Sequence, residues 1–421
     1  MSSGVGTAGV ALASIGVIGV SNGTVMPAIV LPGCHDGQVQ PRHIVRAASM
    51  LGAGALMGAG AVTSAAAVFA RKVLTPEPPA DKSVVRTFND LTITLDVNDE
   101  TVAPGRYGLF VGGYDTHARI GDVLAVEGEE VTRELLGVDF GELDAGPARV
   151  NGSYFVGPPA DSLGIDLREV VYRSPVGDMP AWRMDVPDST RWAVLVHGRG
   201  ALRSECLRAL PTLQRCGINA LIINYRNDPG VPSGADGLYN LGLTEWQDVE
   251  AAMRYVLDAG AADIQLFGWS MGGATVLQTV DRSPLAEHVS RIVLDAPVIN
   301  WRHVLAFHAG LNKLPGVVSR VGLDLMRGPL HRNLIGLAEP LDVTRADWVT
   351  RAGELTKPTL LIHSVDDDFV PFEPSQDLAD ARPDLVRLET FEVARHCREW
   401  NVDSERWEKV VRNFCAPASA H

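Results

Sequence analysis

The 421-residue chain is 46% apolar and 21% charged, an ordinary globular composition with enough length for a full core and an added module. It carries 51 acidic against 37 basic residues, a formal charge of −14, which excludes the basic face that nucleic acid requires. Its five cysteines (Cys34, Cys206, Cys216, Cys397, Cys415) are scattered and form no C-x-x-C pair, so neither a zinc site nor a disulfide framework is indicated, and no metal or cofactor is implied.

In chain order, residues 1–75 differ in kind from the rest. Residues 47–70 carry no charge and are rich in Ala, Gly, Val and Leu, with Arg42 and Arg46 before them and Arg71 and Lys72 after. A helix of about 20 apolar residues crosses a bilayer, so this run is expected to anchor the protein and make it membrane-associated, on a side the balanced flanks do not choose. The competing readings are an export signal cut near Ala66–Ala70 and a buried Ala/Gly helix of the core. Residues 76–83, with Pro76, Pro78 and Pro79, read as a linker.

Residues 84–160 read as a small β-rich module. Leu91, Ile93, Leu95 and Val97 alternate with polar residues, and 107–111, 121–126 and 151–156 are further short strand-like runs. No catalytic constellation falls in this module.

From residue 165 to 415, strands alternate with helices, the pattern of a doubly wound, mostly parallel sheet and an α/β fold class. A hairpin is expected over 168–172 and 181–186, and strands at 192–196, 218–224, 264–267, 291–294, 359–363 and 386–393. Helices are expected at 201–215, 246–260, 274–280 and 403–414. Thr244-Glu245-Trp246-Gln247 has the T-x-x-Q form of a capping box. Residues 300–350 interrupt the rhythm with apolar helical runs, which either cover a site as a cap or pack on the sheet.

The chemistry centres on Gly268-Trp269-Ser270-Met271-Gly272-Gly273, which lies between an apolar run and a helix-like run. Strand, G-x-S-x-G, helix is the setting of a nucleophile elbow, in which bulky neighbours two residues either side would clash. Serine at its own pKa is a poor nucleophile and needs a base, and the base needs a carboxylate to orient it. Downstream, two post-strand turns supply both: His363 to Pro371 with three carboxylates, and Arg395-His396-Cys397. His396 is the base; His303, His308, His331 and His363 are its rivals. The acid lies among Asp366, Asp367 and Asp368, with Asp295 a further rival. The developing oxyanion calls for preorganised N–H groups. One is the backbone N–H of Met271, and the other comes from the loop His197-Gly198-Arg199-Gly200.

These four pieces, in this order, resemble the α/β-hydrolase fold in its bacterial esterase, acyl-thioesterase and serine-peptidase-like branch. The resemblance spans about residues 165–415. It implies Asp367 as the acid, from the pattern D-x-x-V-P at 367–371, and Arg199 as the second oxyanion donor. It implies a serine hydrolase that works through an acyl-enzyme on a small-molecule or lipid-like acyl ester or thioester. An aminopeptidase-like peptidase of the same fold, and an envelope binding protein with a vestigial hydrolase domain, are the alternatives. The side chain of Arg199 is expected to be solvated.

Overall fold

The computed structural model describes residues 59–77, 79–156 and 162–416. Residues 59–74 form a helix, α1. Ala66, Ala70 and Leu74 recur every fourth residue, the spacing of one helix face, and all three are fully buried; Phe69 joins them in the main core.

This corrects the expectation of a membrane-spanning helix over 47–70. Among the described residues no helix is long and apolar enough to cross a membrane. The expected membrane association and membrane localisation lose their basis with it. Residues 47–58 lie outside the described residues. The physical reason is that an Ala-rich face suits close approach to another helix as well as it suits lipid. Here the partner is protein: a side chain at Gly322 would come within 3.5 Å of the Ala66 carbonyl and 3.8 Å of the Ala70 methyl. Arg71 completes the seat by donating to the Ile335 carbonyl.

Six strands follow: β1 (Ser83–Phe88), β2 (Thr92–Asp96), β3 (Tyr107–Val111), β4 (Thr116–Glu127), β5 (Glu130–Phe140) and β6 (Gly146–Asn151). They close into a barrel in the order β1-β2-β5-β4-β3-β6. Ile93 and Leu95 point inward, as the two-residue alternation requires, and meet Val85, Leu109, Ile120, Val131 and Val150 in a core of their own. The barrel ends at Asn151 rather than continuing to 156. The Asn151 side chain accepts from the Ser153 N–H at 2.7 Å, an Asx turn that stops the ladder.

The remaining strands are β7 (Arg168–Ser174), β8 (Gly177–Met184), β9 (Arg191–Val196), β10 (Asn219–Ile223), β11 (Asp263–Trp269), β12 (Val289–Asp295), β13 (Thr359–Ser364) and β14 (Val386–Phe391). They form one eight-stranded sheet in the order β14-β13-β12-β11-β9-β10-β8-β7. β9 to β14 run parallel, and the β7–β8 hairpin adds two antiparallel strands at one edge. β10 and β13 are buried throughout, and β9 and β11 at all but their first residue, as befits a sheet covered on both faces. After β9 the chain steps outward to β10, then back past β9 to β11. That reversal opens a crevice at the carboxyl ends of β9 and β11.

The helix expected over 201–215 is split into a 3-10 segment, Arg203–Ala209, and α2, Leu210–Arg215, at Pro211, which has no N–H to continue a helix. The expected capping box is not formed. α3 (Trp246–Asp258) begins after Glu245, whose buried carboxylate accepts from the N–H groups of Asn240 and Gly242 at 2.6 and 3.0 Å. α4 (Met271–Arg282) follows β11 directly. α5 (Trp301–Leu311) and α6 (Gly316–Arg327) form the insertion between β12 and β13. α7 (Glu373–Ala381), α8 (Glu399–Val402) and α9 (Ser404–Cys415) complete the chain.

Candidate active site

Ser270 is the single residue between β11 and α4, with φ 50° and ψ −117°. A non-glycine residue held there stores roughly 1–3 kcal/mol of strain, which its surroundings must over-determine. They do so by crowding. A Cβ at Gly268 would sit 2.6 Å from the Gly272 carbonyl oxygen, and one at Gly272 would sit 2.2 Å from that of Val196. The backbone is fixed as well: the Ser270 N–H donates to the Asp295 carbonyl at 3.0 Å, and the Ser270 carbonyl accepts from Gly273 and Val298.

The structure brings Ser270, His396 and Asp367 together from the ends of three strands. Ser270 Oγ lies 2.8 Å from His396 Nε2, and His396 Nδ1 lies 2.8 Å from Asp367 Oδ2. Asp367 has no exposed side-chain surface. Its Oδ1 accepts from the N–H groups of Phe369 and Val370, both at 2.8 Å, and its Oδ2 also accepts from His363 Nε2 at 3.1 Å. Burial alone would raise this carboxyl's pKa, but the His396 charge and the two histidine hydrogen bonds outweigh it and hold the group well below the usual carboxylate range. For His396, burial pulls the pKa down and Asp367 pushes it up, and the net direction is up. The ring of Phe369 stacks on His396, with centroids 5.1 Å apart.

Most of the rival residues have other partners, and His363 supports Asp367 rather than reaching Ser270. Asp368 pairs with Arg395, and Asp366 takes part only in its own turn. Asp295 Oδ2 accepts from the Trp407 indole at 2.7 Å. His308 donates to the Phe369 carbonyl at 2.9 Å, His331 to that of Gly328, and His363 to Asp367. His197 is a structural pair with Asp228, 2.8 Å apart and buried.

Among the described residues no protein acceptor takes the backbone N–H of Met271 or of Arg199. Gly198, between β9 and Arg199, is held by donating to Glu205 at 2.7 Å; a Cβ there would come within 3.1 Å of the Ser270 Cβ. Arg199 corrects an expectation. Its guanidinium is not solvated but caps the carboxyl end of α1, donating to the carbonyls of Val73 (2.8 Å), Thr75 (2.9 Å) and Lys72 (3.2 Å). The last carbonyls of a helix lack intrahelical partners, and a fork-shaped cation satisfies several at once. Tyr239 closes the circuit: its N–H donates to the Leu74 carbonyl and its hydroxyl accepts from the Gly200 N–H. Sequence reasoning missed this tie because it joins residues more than 120 positions apart.

Two cavities open on Ser270. One, of about 800 Å³, is lined by Val298, Trp301, Val304, Leu305 and Leu314 of the insertion and its approach, and by Ala65, Val68 and Phe69 of α1. The other, of about 360 Å³, lies between the Gly198–Leu202 loop, the His396 loop and the barrel. Among the described residues no group of three or more His, Cys, Asp and Glu side chains is arranged to hold a metal.

Comparison with known proteins agrees with this architecture. The family model described as "Alpha/beta hydrolase family" matches residues 193–412, and one described as a "Domain of unknown function (DUF8805)" matches residues 83–151, the barrel. No curated protein matches the chain. Among solved structures it is similar to an esterase of Pyrococcus furiosus (19% identity, 61% of this chain and 92% of that chain, TM-score 0.47). It is also similar to an esterase of Exiguobacterium antarcticum (17% identity, 59% and 99%, TM-score 0.41). A malate-bound thermophilic esterase of Thermogutta terrifontis is a third such structure (15% identity, 59% and 97%, TM-score 0.42). With a family model spanning more than half its length, the chain belongs to the alpha/beta hydrolase family and is a hydrolytic enzyme.

Proposed function

We propose that the enzyme is a serine hydrolase that cleaves carboxylic esters or thioesters through an acyl-enzyme, with Ser270, His396 and Asp367 as its catalytic residues. Ser270 Oγ attacks the acyl carbon as its proton passes to His396 Nε2. The carbonyl oxygen, now negative, is received by the N–H groups of Met271 and Arg199. His396 then gives the proton to the departing oxygen or sulfur, and the bond to the leaving group breaks. A water deprotonated by His396 repeats the sequence and frees the acid. Asp367 keeps the imidazole in the tautomer that can accept from serine and stabilises the imidazolium.

The observation that carries this reading is the unbroken relay of two 2.8 Å contacts opening on an apolar cavity of about 800 Å³. Such a cavity suits an apolar acyl chain, whose transfer from water contributes about 0.8 kcal/mol per buried methylene. The test is labelling of the purified full chain with a fluorophosphonate, together with turnover of p-nitrophenyl esters against aminoacyl anilides. Labelling lost in Ser270→Ala, with ester but not anilide turnover, is the expected result. An unlabelled wild type, or anilide turnover exceeding ester turnover, overturns it.

A further inference from the structure

The two cavities share Ser270, Arg199 and Phe369, but His396 lines only the smaller one. That asymmetry assigns direction to the substrate. In acyl transfer the imidazolium must return its proton to the leaving atom, so the leaving group has to lie on the His396 side. The acyl chain then takes the larger cavity, and the leaving group faces the barrel.

We propose that the barrel is the module that selects the leaving group, and that the smaller cavity receives a polyhydroxylated alcohol, a polyol or sugar ester-linked through one hydroxyl. The inference rests on the reading of Ser270 and His396 given above. Of the side chains around the cavity, the barrel and the turn that ends it supply Phe110, Tyr114, Asn151 and Ser153, while Ser204 and Arg398 face them from the hydrolase side. Two aromatic rings offer faces for the C–H surface of a ring or chain. An amide, two hydroxyls and a guanidinium offer both donors and acceptors, as hydroxyl groups require. Arg398 Nη1 is buried with no partner among the described residues, while its Nη2 is held by Glu100. A methyl or alkyl leaving group would leave such polar groups unpaired, which is the usual ground on which a hydrogen-bonding site rejects an analogue lacking the hydroxyl.

The barrel is fixed to the histidine loop rather than resting near it. Glu100, on the loop between β2 and β3, lies 3.0 Å from Arg398 and 3.8 Å from Arg395, the residues that flank His396 and Cys397. The loop is pinned in turn by buried Arg133, which donates to the carbonyls of Thr101 and Ala103 at 2.9 and 2.7 Å. Asn401 donates to the carbonyls of Arg106 and Gly152 at 2.8 and 3.0 Å. The wall of the cavity and the proton carrier therefore keep one geometry.

The test holds the acyl group constant and varies the alcohol: methyl octanoate, 1-octanoylglycerol and 6-O-octanoylglucose, with the full chain as wild type, Tyr114→Ala and Ser153→Trp. Tyr114 is about half exposed, so its removal leaves the fold intact; should Ser153→Trp not fold, Tyr114→Ala decides. Wild type is expected to prefer the glycerol or glucose ester over the methyl ester by ~10-fold or more in kcat/KM, and both variants to lose most of that preference. Equal turnover of the three esters by wild type, or variants that change all three by one factor, overturns the proposal while leaving the hydrolase reading in place. A wild type that turns over none of them and resists the fluorophosphonate removes both.

Discussion

The two elements that precede the hydrolase sheet, helix α1 and the barrel, flank the same serine and differ in what they bring to it. The helix contributes an apolar wall through Ala65, Val68 and Phe69, and caps Arg199 with its last carbonyls. The barrel contributes rings, an amide and a hydroxyl, and grips the loop of His396 through Glu100. One therefore sits against the loop of Gly198 and Arg199, and the other against the loop of His396. The difference teaches that a site on a sheet edge can be walled by parts outside the sheet that differ in chemistry, one apolar and one polar.

The comparison presumes a working relay between the two walls, and the largest expected effect tests that. Asp367→Asn preserves the shape of the acid but not its charge, and kcat should fall about 10⁴-fold, as expected when the imidazole is held in the wrong tautomer. A loss below tenfold in stopped-flow or steady-state kcat would break the scheme. The helix side is sharpened by Arg199→Ala. With the guanidinium gone from the α1 carbonyls, the oxyanion loop is released and kcat should drop by about 10²-fold, the scale of one lost oxyanion donor. Lysine at this position should not restore it, since a point charge cannot span several carbonyls. An effect on KM alone would show that the side chain only shapes the cavity.

Smaller still is Ala65→Trp, which fills the apolar side. The ratio of kcat/KM for p-nitrophenyl decanoate over acetate should fall about tenfold, within the range a hydrophobic pocket discriminates. An unchanged ratio would place the acyl chain elsewhere. The mildest test is the pH profile. Asp367 raises the pKa of His396, and only the neutral imidazole accepts the serine proton. Activity should therefore be lost as pH falls, with a midpoint for kcat/KM above the ordinary histidine value of about 6.5. A midpoint below that value would mean that burial outweighs Asp367.

The legible parts of the molecule were those whose demands are local. Glycine at 268 and 272 is required by a turn only a few residues long, so the elbow announces itself. His396 and the acidic turn at 366–368 each follow a strand downstream of Ser270, so the groups that meet Ser270 could be named from their order along the chain. What the sequence concealed was set by partners far along the chain. The Ala-rich run reads identically whether lipid or α6 covers it. Thr244 and Gln247 have the spacing of a cap, yet Glu245 took the neighbouring N–H groups instead. β5 turns the charged Arg133 inward and leaves Leu136 and Val138 exposed, so its pattern misleads an apolar/polar reading. The two cavities have no sequence signature because each is bounded by stretches from many separate parts of the chain.

The grip of Arg199 on three carbonyls gives α1 the status of a keystone. Lifting the helix away would strand a half-buried cation, open the apolar chamber to water and let the loop beside Ser270 drift, all in one movement. A truncated version starting at the barrel would keep all three relay residues and still be a poor enzyme.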